Sequence, residues 1–232
     1  QQSLNEQLAT EIHKRQNTSV PFVHYETEKT SDDGVLSKCV AFTSEQTEFV
    51  SAFEVVSSEK GDHAQSVYDS YIQICARHGM DQAQMQDFMD YQTLTDFIIS
   101  NSDEHLMNFG VLRDSHTMEL VAPAPIFDSG NSMFYADERK IPYDRVSILE
   151  RKITSFHDSE ERMLSHVKNK TIVDSNCLPS PEEIQSFYAG HGLPEERASF
   201  IADSYKVKLA LLNDFQSGKK ISLYREKKIA RR

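Results

Sequence analysis

Cysteine is scarce in this sequence: Cys39, Cys75 and Cys177 are the only three. They are far apart, odd in number and in no C-x-x-C spacing. That excludes a disulfide framework or a zinc knuckle and points to a reducing compartment, the cytoplasm. Long apolar runs are missing as well. None approaches the roughly 20 residues that a bilayer-spanning helix needs, and the polar start is not a signal peptide, so no membrane association is expected. Positive charge is in deficit, with 25 Lys and Arg against 36 Asp and Glu and a net charge of −11. An excess of that sign disfavours broad nucleic-acid binding, and no direct contact with nucleic acid is expected. The exception is the tail from Lys219 to Arg232, with seven Lys or Arg and one Glu. It reads as the solvated, fraying end of a C-terminal helix, with a phosphate- or partner-binding arm as the alternative. Internal repeats and low-complexity segments are absent.

The 232 residues suffice for one sizeable core or two small lobes. Ser3 to Gln16 reads as a helix, with Ser3 as N-cap, Glu6 completing a capping box, and Leu4, Leu8 and Ile12 on one face. Val20-Pro21 ends it. Two β-rich segments follow, Leu36 to Thr43 and Thr47 to Val56, with a polar turn between them. Asp62 to His78 is a helix closed by Gly79. Asp81 caps a second helix of about 20 residues, whose stripe of Met85, Phe88, Met89, Leu94, Phe97 and Ile98 is long and apolar. A hairpin is expected from Phe109 to Arg113 and Met118 to Ala122. An irregular stretch then runs from Gly130 to about Arg145. Helices near Asp158 to Lys168, Pro181 to Ala189 and Pro194 to Gln216 finish the chain, with Ser180-Pro181-Glu182-Glu183 as a strong start signal. Strands first and helices afterwards indicate an α+β fold dominated by helices.

Chemistry concentrates between Ser100 and Gly130. Asp103 and Asn108 stand as D-x-x-x-x-N, a hairpin follows, and the chain then reaches Phe127-Asp128-Ser129-Gly130. That is the order in which a protein kinase presents a catalytic-loop Asp, a metal-binding Asn and a second metal-binding Asp. Asn108 and Asp128 would supply the amide and carboxylate oxygens that Mg²⁺ accepts, leaving Asp103 free to take a proton from a hydroxyl. His105 has two open readings: a contact to a nucleotide phosphate, or a tie to a backbone carbonyl of the loop. A metal hydrolase using Asp103, His105 and Asp128 would need further ligands, and the sequence has no H-E-x-x-H and no other histidine at ligand spacing.

At these residues the sequence resembles the HipA-like serine/threonine kinases, toxin-type bacterial kinases distantly related to phosphatidylinositol kinases. Asn101-Ser102-Asp103-Glu104-His105-Leu106-Met107-Asn108 is similar to their N-x-D-x-H-x-x-N loop, and Leu120-Val121-Ala122-Pro123 with Phe127-Asp128 to their L-A-P and Y-D segments. Weaker similarity covers Asn5 to Ala9 with Val20-Pro21, and Thr47 to Ala52. The resemblance implies a protein-kinase-like fold: an incomplete, small β-containing N-lobe over residues 1–56 and a mostly helical catalytic C-lobe over residues 57–232. It implies ATP and Mg²⁺ as cofactors, Asp103 as catalytic base and Asn108 and Asp128 as metal ligands. His105 would lie near the phosphates, Glu48 and Phe49 at the adenine, and Glu6 opposite an ATP-binding lysine. A protein Ser/Thr substrate and an antitoxin-like protein partner follow from the same likeness.

One part of the pattern is missing. No G-x-G-x-x-G occurs, and Lys14 and Lys29 come after the first helix has begun, whereas a glycine-rich loop and a strand lysine should precede it. The expectation is an N-terminally truncated form that binds ATP weakly alone. Two other readings stand beside this one: a catalytically inactive, kinase-shaped interaction module, and a kinase of lipids or small molecules built on the same site.

Overall fold

The computed structural model describes residues 1–31, 34–59 and 65–231. Helix α1 (Gln2–Gln16) buries Leu4, Leu8, Ala9 and Ile12 and stops at Asn17, which takes a left-handed conformation ahead of Pro21. Ser3 is not its cap. The helix begins one residue earlier, with Gln1 at the N-cap and no side-chain cap bond. Tertiary partners outcompete the local box: Ser3 Oγ donates to Val35 O at 2.9 Å, and the Glu6 carboxylate turns to Ser129.

Strands β1 (Glu26–Lys29) and β2 (Val35–Lys38) form an antiparallel hairpin. The two β-rich segments between Leu36 and Val56 do not pair with each other across the polar turn that separates them. β2 pairs backward with β1, while β3 (Thr47–Ser51) joins a separate sheet. The second segment also ends early, because Ser51 caps helix α2 (Ala52–Ser58) in a reciprocal capping box with Glu54. That S-x-x-E signal is in the sequence, and it overrides the β character of Val55 and Val56. Helix α3 (Val67–Arg77) starts at Ser66, whose side chain accepts from Asp69 N. The expected start at Asp62 lies outside the described residues. Gly79, at φ +99°, ends it as expected.

Helix α4 (Gln82–Ile99) has Asp81 as its cap, accepting from Gln84 N at 2.8 Å. It is buried nearly all round, with Met85, Tyr91, Leu94 and Ile98 fully enclosed, and is the axis of the helical body. Strands β4 (Gly110–Asp114) and β5 (Leu120–Pro123) follow as the expected hairpin. The sheet order is β3-β4-β5, antiparallel throughout, with a register shift between Leu112 and Arg113. β4 meets β3 at Gly110, where a Cβ would sit 2.1 Å from Val50 O, so the close approach requires glycine.

The stretch before Arg145 leads into a short helix missed by the sequence reading, α5 (Arg145–Glu150), capped by Asp144. The helix expected over Asp158 to Lys168 is only one turn long, α6 (Glu160–Leu164). α7 (Pro181–Gly190), with its Ser180–Glu183 capping box, packs against α8 (Glu195–Gln216), which buries Ala198, Ile201, Tyr205, Leu211 and Leu212. The basic tail is not a frayed end of α8. Gly218 breaks the chain, and α9 (Leu223–Ala230) turns back onto α5, where Arg145 pairs with Glu226 at 2.9 Å and Lys227 with Glu150 at 2.6 Å. Among the described residues no helix is long and apolar enough to cross a membrane.

Candidate active site

α4 ends at Ser100 in a left-handed turn and delivers the chain into the loop that carries Asp103. Asn101 sets the entry. Its Nδ2 donates to Asp96 Oδ1 at 3.1 Å and Glu104 Oε2 at 3.0 Å, and its Oδ1 accepts from Asp103 N at 3.3 Å. Gln92 Nε2 donates to the other Glu104 oxygen at 2.5 Å. Burial pushes the Asp96 and Glu104 carboxyls upward, and Asp96 adds to the effect on Glu104. The amide of Asn101 thus joins two crowded carboxyls to the start of the loop that carries Asp103. On its other side the loop is braced by Thr154, whose N donates to Ser102 O at 2.9 Å in a parallel bridge with Asp103.

Within the loop Asn108 folds back onto Asp103: Asn108 Nδ2 donates to Asp103 O at 2.9 Å, and Asn108 N donates to His105 O at 2.7 Å. That leaves Asn108 Oδ1 without a hydrogen bond among the described residues. The Asp103 carboxylate accepts a bond from Asn131 Nδ2 at 2.7 Å through Oδ2. His105 ties the loop, but to a backbone N–H rather than a carbonyl: Met107 N donates to its Nδ1 at 3.3 Å. A ring that accepts at Nδ1 carries its proton on Nε2 when neutral.

Asp128 sits at the surface in a left-handed conformation, φ +58°, which a non-glycine residue adopts at some cost. Burial on one side raises its carboxyl, the charge of Asp103 raises it further, and His105 opposes them. The three side chains therefore share one electrostatic neighbourhood. The segment after Asp128 is held from α1. Glu6 Oε2 accepts from Ser129 N at 3.1 Å, and Asn5 Nδ2 donates to Gly130 O at 2.8 Å and Ser132 O at 2.7 Å. Asn5 Oδ1 in turn accepts from Tyr188 Oη at 2.7 Å. Burial lifts the Glu6 carboxyl to about 7, opposed by the Ser129 amide and reinforced by the charge of Asp128.

No protein-family model and no curated protein sequence matches the chain. Solved structures do. The Helicobacter pylori proinflammatory kinase CtkA superposes with a TM-score of 0.63 at 15% identity, over 94% of this chain and 87% of that one. HipA of Shewanella oneidensis, in its toxin–antitoxin complex with HipB and operator DNA, superposes at 0.53 and 14% identity, over 94% of this chain. The fold is that of the HipA-like kinases. Against that HipA the present chain spans little more than half the length, 56%.

On this kinase fold the side chains of the other expected site residues make no hydrogen bond to the Asp103 loop among the described residues. Glu48 points outward from β3 and pairs with Arg113, its register neighbour on β4, at 2.9 Å. Phe49 belongs to a trio of half-buried rings with Phe42 and Phe127, at centroid distances of 5.3 to 5.9 Å, directly ahead of Asp128. Glu6 has no lysine partner among the described residues. Asn131 and Asn5 were missed by the sequence reading. Asn5 lies in a segment that resembles the family, whereas nothing in the sequence marks Asn131 as a neighbour of Asp103.

The donor set suits Mg²⁺. Among the described residues no group of three or more His, Cys, Asp or Glu side chains is placed to hold a metal. Asp128 and Asn108 Oδ1 offer one carboxylate and one free amide oxygen, donors of the kind accepted by an ion that brings waters and phosphate oxygens.

Proposed function

We propose that this chain is the catalytic part of an ATP- and Mg²⁺-dependent kinase that phosphorylates serine or threonine hydroxyls of a protein. The observations that support this most directly are the folding of Asn108 onto Asp103 and the charge interaction between Asp103 and Asp128. Asp103 is the base. Asn131 holds one of its carboxylate oxygens, leaving the other to accept the proton of the incoming hydroxyl. Asn108 and Asp128 are the metal ligands, and bound Mg²⁺ neutralises the charge of the transferring phosphate. His105 offers Nε2–H toward the phosphates. Glu48 and Phe49 border the adenine, and Glu6 keeps the Asp128 segment in place while awaiting a lysine partner. Residues 1–56 act as part of the small lobe and residues 57–232 as the catalytic lobe. An antitoxin-like protein is the expected partner, and the cytoplasm the expected site of action.

The test is transfer of phosphate from [γ-³²P]ATP by the full gene product, with and without Mg²⁺. Asp103→Asn should lower the rate about a hundredfold or more, the range for loss of a general base, while Mg-ATP binding stays unchanged. A protein that binds Mg-ATP but transfers no phosphate to itself or to any protein would refute the kinase reading. It would leave the second one, a kinase-shaped binding module, which is favoured by the engagement of Glu6 with Ser129 in place of a lysine.

A further inference from the structure

A cleft of about 650 Å³ opens beside Asp103, bordered by Asn131, Tyr135, Glu138 and Arg151. Arg151 is the unusual member. Its guanidinium lies 4.8 Å above the Phe134 ring and 5.4 Å from that of Tyr143; the two rings are stacked on each other and buried. Cation–π contact on two rings fixes the fork in place. Yet no carboxylate among the described residues pairs with it, and its enclosed Nη1 bonds no acceptor. Of the acids nearby none pairs with it, and Glu138, on the same cleft, forms no ion pair among the described residues. Asp137 takes the Tyr143 hydroxyl and Arg139 N, and Glu160 pairs with Lys208 at 2.5 Å. The backbone around Arg151 is equally fixed: three residues on, Thr154 is bonded to the catalytic loop at Ser102. A rigid guanidinium with unused donors, on the segment that runs alongside the proposed base, is a receptor for a planar or tetrahedral anion.

We propose that Arg151 is a specificity residue of the acceptor cleft, and that it binds an acidic side chain, carboxylate or phosphorylated, flanking the hydroxyl to be phosphorylated. This rests on the kinase reading, which supplies Asp103 as the place where the hydroxyl docks. Acceptor peptides are selected by charge at one flank, and the cleft rejects a basic residue there because the unpaired guanidinium would face it.

Two measurements keep this inference separate from the kinase reading. Fluorescence anisotropy on the full gene product reads binding without turnover, using labelled serine peptides with Glu, phosphoserine, Gln or Lys at each flanking position. Wild-type protein should bind the best-placed Glu or phosphoserine peptide roughly tenfold more tightly than the Gln peptide, and the Lys peptide more weakly than either. Arg151→Gln should erase the preference and Arg151→Glu should invert it, with thermal melts reporting whether the fold survives. Glu138→Lys, a change at an exposed position of the same cleft, should tighten binding of the acidic peptide severalfold, and it does not touch the Phe134–Tyr143 platform. Equal binding of Glu and Gln peptides by wild type overturns the proposal. So does a preference unchanged in folded Arg151→Gln or in Glu138→Lys. If acidic peptides bind through Arg151 but receive no phosphate from ATP, the docking site stands and the kinase reading falls. If phosphate is transferred without regard to flanking charge, the kinase reading stands and the role of Arg151 falls.

Discussion

Asn5→Ala should be among the most damaging single changes outside the hydrophobic core. The side chain is fully buried and bonds three groups from distant parts of the chain: Gly130 O, Ser132 O and the Tyr188 hydroxyl. They are not equally exposed to its loss. Ser132 O keeps a second partner, Tyr135 N at 3.1 Å, whereas Gly130 O and the Tyr188 hydroxyl have no other partner among the described residues. Leaving a buried polar group unpaired costs about 1–3 kcal/mol. Two such groups plus one weakened bond give about 3 kcal/mol, a large part of the stability of a typical domain. Urea melts at neutral pH would measure it. Asn5→Asp sharpens the test: it preserves shape and still accepts from Tyr188, but turns a negative oxygen toward two carbonyls, so it should cost more than Ala. A loss below 1 kcal/mol for Ala, or an Asp variant more stable than the Ala variant, would refute the reasoning. The same loosening should weaken Mg-ATP binding, since Gly130 lies two residues after Asp128.

Asn131→Ala removes the donor that orients the Asp103 carboxylate, and should lower kcat about tenfold while leaving the KM for ATP and the melting temperature nearly unchanged. An unchanged kcat would show that Asp103 needs no such orientation. His13 provides a pH signature. It is buried against Tyr91 and Phe22, and burial, helped by the charge of His24, depresses its pKa to about 4. The unfolded chain, titrating near 6.5, then binds more protons between about pH 4 and 6.5, so the stability that neutral His13 provides is complete above that window and lost as the pH falls through it. Relative to His13→Gln, the wild type should lose roughly 2 kcal/mol between pH 7 and pH 5. Glu6, whose raised pKa acts in the opposite sense, cancels in that comparison. A difference independent of pH would mean that water reaches the ring.

Much of the architecture was legible because its signals are local. The Asp81 and Ser180 caps, the apolar stripe of α4 and the β4–β5 hairpin each depend on residues a few positions apart, and each formed where expected. Errors arose where a distant partner decided. Ser3 caps nothing because Val35 takes its hydroxyl, and β2 pairs with β1 because β3 is claimed by β4. The α2 and α5 starts were legible in principle: Ser51 with Glu54 and Asp144 with Ser147 are reciprocal boxes, overlooked beside β-branched or irregular sequence. In the candidate site, the spacing of Asp103, Asn108 and Asp128 was readable, since their order follows the loop and hairpin. Asn131 and Arg151 were not, because their relation to Asp103 exists only once the segments after Gly130 have folded back.

The tether through Asn5 also sets a timetable. Gly130 and Ser132 lie 125 and 127 residues beyond Asn5, and Tyr188 lies 183 beyond it. A ribosome makes about 5–20 residues each second, so roughly ten seconds or more separate the emergence of α1 from that of its last partner. Throughout that interval Leu4, Leu8 and Ile12 have no completed surface to cover, and Asn5 lacks the Tyr188 hydroxyl that anchors it. Such widely separated contacts slow folding and favour misassembly. The tether that holds the proposed catalytic carboxylates therefore lacks its last anchor until Tyr188 has emerged, and a nascent chain cut short before Tyr188 carries those carboxylates on a weakened support.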